Sequence, residues 1–405
     1  MWFRRDIEST WSSGSSLPVR ILMGVRQCGK TSLLTHLAPQ GWSVVNLDDF
    51  QLRALANRDP AMFFHLNPLP AIIDEIQYAP ALFPEIKRRV DLWRRARRED
   101  TRGESPGEMP QVWASGSNQV LLDRTVEESL AGRASYFTLH TLSAGELARS
   151  LPGFRLETAF IRGGWPELYL DPPLDPFGYL NDHVRTYVQK DIVLSADIQK
   201  VESFTTVLGL LAARTGTLLN ASSLSQECGV AASTILEWVG VLERTHVLVR
   251  LPPWHGNLSK RLLRTPKVYL LDVGLASRLQ GWTEGGPLLR SPQAGPLFET
   301  LVLGEIVRTR DHGAKSWQLF YWRTKEGDEV DFLIRDARGR MLALEAKMGI
   351  HSVEPRDLPR QFRREFPESE TLAIVSFGGE ERRLSDRCIQ VPLSGLASYL
   401  TRHLT

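Results

Sequence analysis

The residues best suited to chemistry lie near the start of the chain. Gly24-Val25-Arg26-Gln27-Cys28-Gly29-Lys30-Thr31 fits G-x-x-x-x-G-K-[ST] at every specified position, and Ser32 follows it. Such a loop turns backbone N–H groups, and the N-terminus of the helix behind it, toward phosphate oxygens. In this pattern Lys30 reaches the β- and γ-phosphates and the Thr31 hydroxyl ligates Mg2+. Gly24, Arg26, Gln27, Cys28, Gly29, Lys30, Thr31 and Ser32 are therefore the candidates for holding ATP. Downstream, Pro70-Ala71-Ile72-Ile73-Asp74-Glu75 is an apolar run closed by two acids. Asp74 is placed to hold Mg2+ through its water shell, and Glu75 to orient or deprotonate the attacking water. An unpaired carboxylate closing a buried strand would be costly, which argues for a ligand there. The run 111–115 leads into Gly116-Ser117-Asn118. Ser115, Ser117 or Asn118 could sense the γ-phosphate, or the segment could be an ordinary capped turn. Arg133, with Arg124 as its rival, could supply positive charge to the γ-phosphate in cis or from a neighbouring subunit. Either could equally be a surface arginine.

The elements that must position these groups follow from hydropathy. Apolar runs at 19–23, 42–47, 71–74, 111–115 and 135–139 alternate with helical patterns. That is the signature of an α/β fold with a parallel sheet buried on both faces. The loop would join the first strand to a helix over 31–37. A polar stretch with Gly103, Pro106, Gly107 and Pro110 predicts a surface loop over 97–110. Residues 155–290 read as mostly helical. Within them, 224–228, Gly229 and 232–243 predict helix, tight turn, helix, with Gly229 supplying a positive φ. Strands near 247–251 and 268–271 would form a wing. Pro292, Gly295 and Pro296 mark a boundary before an amphipathic helix over 297–307. Strand-like runs at 318–322, 330–334, 341–346 and 371–375 then predict a small separate α/β domain. The expected division is a P-loop domain over 1–152, a helical, winged-helix-like region over 153–290 and a third domain over 291–405.

The stretches quoted so far, taken together, resemble one family of AAA-type ATPases. These are bacterial and archaeal proteins with an AAA domain joined to a C-terminal domain of unknown function. The likeness extends through Ile73-Asp74-Glu75-Ile76-Gln77, Ala114-Ser115-Gly116-Ser117 and Ser129-Leu130-Ala131-Gly132-Arg133. It continues in Leu142-Ser143-Ala144-Gly145-Glu146-Leu147, Arg162-Gly163-Gly164-Trp165-Pro166-Glu167, Asp272-Val273-Gly274-Leu275 and Gly295-Pro296-Leu297-Phe298-Glu299. Cys28 stands where a small aliphatic residue is commoner, and a small side chain fits. The resemblance implies ATP binding, Mg2+-dependent hydrolysis to ADP and phosphate, and assembly of copies into a hexameric or heptameric ring with nucleotide between subunits.

A second group of candidate residues lies near the C-terminus. Val330-Asp331-Phe332 is followed by Glu345-Ala346-Lys347, and Glu299 sits on the preceding helix. This order resembles the PD-(D/E)XK nucleases. There Asp331 and Glu345 would hold Mg2+, Lys347 would activate or position the water, and Glu299 would be the additional acid. Glu345 and Lys347, two apart on a strand, point to the same face. The E-x-K pattern alone is weak, since Glu85-Ile86-Lys87 repeats it. An active nuclease, a degenerate or DNA-gripping domain, and an ordinary hairpin with solvated charges all stay open.

Composition bounds the partners. The chain has 405 residues, 42% hydrophobic and 24% charged, as a soluble globular protein does. Lys and Arg number 49 against 47 Asp and Glu, so no global charge argues for nucleic acid. Local stretches do: Lys87, Arg88, Arg89, Arg94, Arg95, Arg97 and Arg98 with the single acid Asp91, and Arg250, Lys260, Arg261, Arg264 and Lys267 around Trp254 and His255. A basic wing beside a recognition-type helix could grip a DNA backbone, although solvated charge is the commoner cause of such runs. Three scattered cysteines predict a reducing, cytoplasmic setting. With no long apolar run, neither a signal peptide nor a membrane partner is expected. The function expected is an oligomeric, DNA-acting ATPase motor or remodeller. The alternatives are an ATP-dependent switch or scaffold for a protein partner, and a defence or mobile-element effector with a live nuclease.

Overall fold

Five short runs rich in Val, Ile and Ala fold into one sheet within the unit Ile7–Leu139. They are β1 (Val19–Met23), β2 (Ser43–Asn46), β3 (Ala71–Asp74), β4 (Val112–Gly116) and β5 (Ala134–Thr138). All neighbours are parallel, in the order β2-β3-β4-β1-β5. β3 and β4 are buried at every position, as central strands covered on both faces must be. On one face Ile21, Ile73 and Ala114 pack against Phe63, Phe83 and Val90. On the other, Trp113 meets Trp11 and Trp42 at 5.2 and 4.5 Å between ring centroids. Because β4 lies between β1 and β3, the carboxyl ends of these three strands adjoin. In open α/β sheets ligands bind beyond the carboxyl ends of the strands.

The computed structural model describes residues 1–13, 17–99, 108–117, 130–186, 193, 196, 198–255, 265–349, 353–369 and 371–405. The phosphate loop leads into α-helix Lys30–Leu37. Helix Leu82–Glu99 runs through Arg97 and Arg98, so the loop expected from 97 begins later, and its residues 100–107 lie outside the described ones.

The second unit comprises Met1–Asp6 and His140–Thr405. Helix Ala221–Cys228 ends at Gly229, whose φ of 63° is the left-handed value expected, and helix Ala232–Arg244 follows. Strands β6 (Thr217–Leu218), β7 (Leu248–Leu251) and β8 (Lys267–Leu270) form an antiparallel sheet in the order β6-β8-β7. A six-stranded mixed sheet follows. It is built of β9 (Gln318–Arg323), β10 (Glu329–Arg335), β11 (Met341–Ala346), β12 (Leu372–Ser376), β13 (Arg382–Ser385) and β14 (Cys388–Pro392). Its order is β13-β14-β12-β11-β10-β9; the last two strands of the chain were not expected from the sequence.

One expectation needs correction. The helix expected to be amphipathic over 297–307 spans Ala294–His312 and is buried on nearly all sides, Glu305, Arg308 and His312 included. Two of its charged groups are held internally instead of facing water. Glu305 accepts from the Ala144 N–H at 2.8 Å, and Arg308 Nε donates to the Thr141 carbonyl at 3.0 Å. Burial pushes the Glu305 carboxyl up to about 7. No helix among the described residues is long and apolar enough to cross a membrane.

Candidate active site

The phosphate loop owes its shape to two glycines. Gly24 leaves β1 at a φ of 150°, and a Cβ there would fall 2.0 Å from the Leu139 carbonyl oxygen, so no other residue fits. Gly29, at φ 97°, opens the following helix in the left-handed region. The Cys28 side chain is wholly buried, its Sγ 3.4 Å from the Leu139 oxygen. Its thiol is thus part of the floor beneath the loop. Arg26 is half-buried, while Gln27, Thr31 and Ser32 are exposed.

Lys30 is 5% exposed and lies back along the loop, donating from Nζ to the Gly24 and Val25 carbonyls at 3.0 and 2.9 Å. Neither contact neutralises its charge. Thr31 Oγ1 donates to Asp74 Oδ2 at 2.7 Å, and Ser115 Oγ donates to Asp74 Oδ1. The carboxylate is thus held at both oxygens by hydroxyls that carry no charge. Ser115 was among the candidates for the γ-phosphate; its hydroxyl is directed at Asp74.

Glu75 takes a left-handed backbone, φ 54°, which is uncommon outside glycine. Its Oε2 accepts from Ser117 Oγ at 2.8 Å and from Gln77 Nε2 at 2.5 Å. Gln77 is buried and also stands 3.5 Å from Ser117 Oγ. Sequence reasoning gave Gln77 no role; its place two residues after Glu75 on a turn was the available signal. Asn118 and Arg124 lie outside the described residues.

Arg133 does not join this group. It precedes β5, whose first residue pairs with the first residue of β1, so it sits at the amino end of the sheet. The loop is at the other end, about 16 Å away at ~3.3 Å per residue. Arg133 forms a two-pronged ion pair with Asp91 at 2.8 and 2.9 Å. The reading in which it serves its own chain's nucleotide in cis is therefore corrected.

The C-terminal acids have different partners. Glu299 accepts from Lys267 Nζ at 3.1 Å and from the Tyr269 hydroxyl. Lys267 also pairs with Glu329 at 2.5 Å. Glu345 pairs with Arg356 at 3.0 Å and, more loosely, with Lys347 at 3.8 Å. Asp331 lies at an irregularity in the β9–β10 pairing and accepts from the Ala346 N–H at 2.9 Å. Burial, then the neighbouring Glu299 carboxylate, pushes the Asp331 carboxyl up to about 7. Among the described residues no three His, Cys, Asp or Glu side chains are grouped to hold a metal ion. Of the expected set, Asp331 and Glu299 lie close enough for their charges to interact, while Glu299 and Glu345 each have a basic partner.

The basic stretches are also partly neutralised. Arg88 and Arg89 pair with Glu85 at 2.6 and 2.7 Å. Arg250 pairs with Glu243. Trp254 packs on Phe320 and Phe366, with its indole N–H on Glu365. Lys260, Arg261 and Arg264 lie outside the described residues.

A parallel sheet with this strand order, a glycine-shaped phosphate loop on β1 and an acid-ended strand one place beyond β4 defines a P-loop, AAA-type domain. Residues 16–148 match the family model described as "AAA domain". Residues 153–285 and 294–396 match two domains of unknown function, DUF8612 and DUF4143. The resemblance read from the motifs holds at the level of domains: the chain carries an AAA domain followed by a C-terminal domain of unknown function. It is 27% identical over 380 residues to uncharacterized proteins of Mycobacterium bovis and Mycobacterium tuberculosis, covering 93% of this chain and 80% of each. Among solved structures it is similar to the Walker-type ATPase of Pyrococcus abyssi, at 14% identity and TM-score 0.40 over 69% of this chain and 96% of that one. The ORC2 protein of Aeropyrum pernix, in ADPNP–ADP complexes, aligns at 15% identity and TM-score 0.30 over 67% and 88%.

Proposed function

We propose that the chain binds ATP on residues 24–32 and hydrolyses it with Glu75, as an oligomeric ATPase that acts on DNA. The observation that carries the catalytic part is the convergence of Lys30, the Thr31–Asp74 pair and the Ser117–Glu75 pair at the carboxyl ends of β1, β4 and β3. Lys30 would exchange its two carbonyl contacts for phosphate oxygens. Thr31 and Asp74 suit Mg2+: a hard cation takes oxygen ligands, and both groups are oxygens already spaced by one hydrogen bond. When bound, that ion would neutralise charge developing on the phosphates. Glu75, steered by Ser117 and Gln77, would accept a proton from the attacking water or align it.

Arg133, remote from its own loop, would exchange its ion pair with Asp91 for a neighbouring copy's γ-phosphate, which is the role we assign it in a ring. The family spans support boundaries near 152 and 290. We read the helix–turn–helix with its three strands as winged-helix-like and the six-stranded region as a nuclease-like domain. The ion-paired acids there favour a gripping domain over an active nuclease.

Replacing Glu75 by Gln tests the core of this reading. Turnover should fall at least ~100-fold, the usual scale for general-base loss, with ATP still retained. Phosphate release and binding of a fluorescent ATP analogue would report the two separately. Unchanged turnover would remove Glu75 from its role.

A further inference from the structure

The two basic stretches conspicuous in the sequence are partly spent on internal ion pairs. A third cluster, in the second unit, is not. Arg360, Arg363, Arg364 and Arg387 line one cavity of about 340 Å³, with Phe366 and Pro367. Three of them belong to helix Arg360–Glu365, at i, i+3 and i+4, and so share a face. Arg387 comes from the turn between β13 and β14. Among the described residues none of the four guanidinium groups forms an ion pair or a side-chain hydrogen bond. The one acid on the helix, Glu365, is directed at the indole N–H groups of Trp254 and Trp322, at 3.1 and 2.9 Å, and does not line the cavity.

Gathering four like charges around one cavity without a counter-charge is unfavourable, since like charges a helical turn apart repel. An anion reverses the sign of that interaction, and the planar guanidinium fork matches phosphate oxygens two at a time. The shape narrows the ligand. Arg360, Arg364 and Arg387 are exposed, so the cavity is an open trough and not an enclosed pocket. Phe366 is only 4% exposed and is packed against Phe362 and Trp254, so it presents no ring face for a base to stack on. A site with charge and no means of reading bases is suited to a polymer backbone.

We propose that this arginine trough is a phosphate-backbone grip for DNA. The proposal deepens the DNA-acting reading given above and rests on it.

The test uses the full chain and a fluorescent DNA duplex, with affinity followed by anisotropy across a salt series. Each phosphate contact contributes about 0.9 to the slope of log K against log salt. R360Q/R364Q/R387Q should lower that slope by about 2–3 and weaken binding at least ~10-fold at ~100 mM salt, independently of DNA sequence. The corresponding triple lysine variant, which keeps the charge, should recover most of the slope. ATP turnover without DNA should stay at the wild-type rate in both, since no substituted residue touches the phosphate loop; this also verifies folding. If wild type binds DNA and the glutamine variant binds with the same slope, the trough is overturned while the DNA reading stands. If wild type shows no salt-dependent DNA binding, both are overturned.

Discussion

Two regions of this molecule bring acids and a lysine together on strand ends, and they handle charge in opposite ways. At the phosphate loop, Asp74 is fixed by the hydroxyls of Thr31 and Ser115, Glu75 by Ser117 and Gln77, and Lys30 by backbone carbonyls. Neutral donors and acceptors set the geometry and leave each formal charge unspent. In the six-stranded region, Glu299 is bound by Lys267, and Glu345 by Arg356 and Lys347. There the charges cancel one another. A carboxylate held by hydroxyls still attracts a cation, while one held by a guanidinium has already found its counter-charge. The nature of the partner therefore separates the two acid groups better than the spacing of their motifs does.

The sharpest way to break that comparison is to remove one cation from each region. Lys30→Ala should weaken ATP binding at least ~100-fold and abolish turnover, because a charge-assisted contact to two phosphates is lost at a buried position. Lys347→Ala with Glu345→Ala should leave ATP turnover within about twofold, since neither residue touches the phosphate loop and the cation released, Glu345's partner Arg356, is exposed to water. Equilibrium binding and steady-state phosphate release on the three proteins check this. If Lys30→Ala still binds ATP normally, its carbonyl contacts are structural and the contrast fails.

The parts legible in the sequence are those governed by local rules. The strand at 71–74 and the loop at 24–31 are set by contiguous residues, and their expected and observed positions coincide. The helix Ala294–His312 was misread as amphipathic because its charged residues look wet in sequence. Whether Glu305 and Arg308 meet water or the Ala144 N–H and the Thr141 carbonyl depends on contacts far away in the chain. The same limit hid the partners of Lys267. It stood in a stretch free of acids, yet it is neutralised by Glu299 and Glu329. The arginine trough went unnoticed because Arg387 joins the helix only through the fold.

A smaller effect, in pH, sharpens the second half of the comparison. The Asp331 carboxyl is raised from 3.8 to about 7. The folded chain therefore holds that proton more tightly than the unfolded one. Stability is full below about 4, falls as pH rises through about 7, and stays lowered above it. Glu305 titrates in the same direction, so only the difference between proteins is informative. Asp331→Asn should flatten the decline in melting temperature between pH 5.5 and 8 by a few degrees, at about 2–4 °C for each kcal/mol. An identical decline in both proteins would show that Asp331 is ionised at little cost, and that its neighbours balance it as fully as they do Glu345.

The smallest effect lies in the hydroxyls themselves. If neutral donors only aim Asp74 and leave its charge for a cation, Ser115→Ala should loosen the aim without removing the charge. One hydrogen bond to a charged group is worth about 1.5–3 kcal/mol at most, and Thr31 still holds the other oxygen. The Mg2+ concentration giving half-maximal turnover should rise about 3–10-fold, with the maximal rate nearly kept at saturating Mg2+. A fall in maximal rate that excess Mg2+ does not restore would mean that Ser115 acts on the nucleotide itself, the sensor role that its sequence position first suggested.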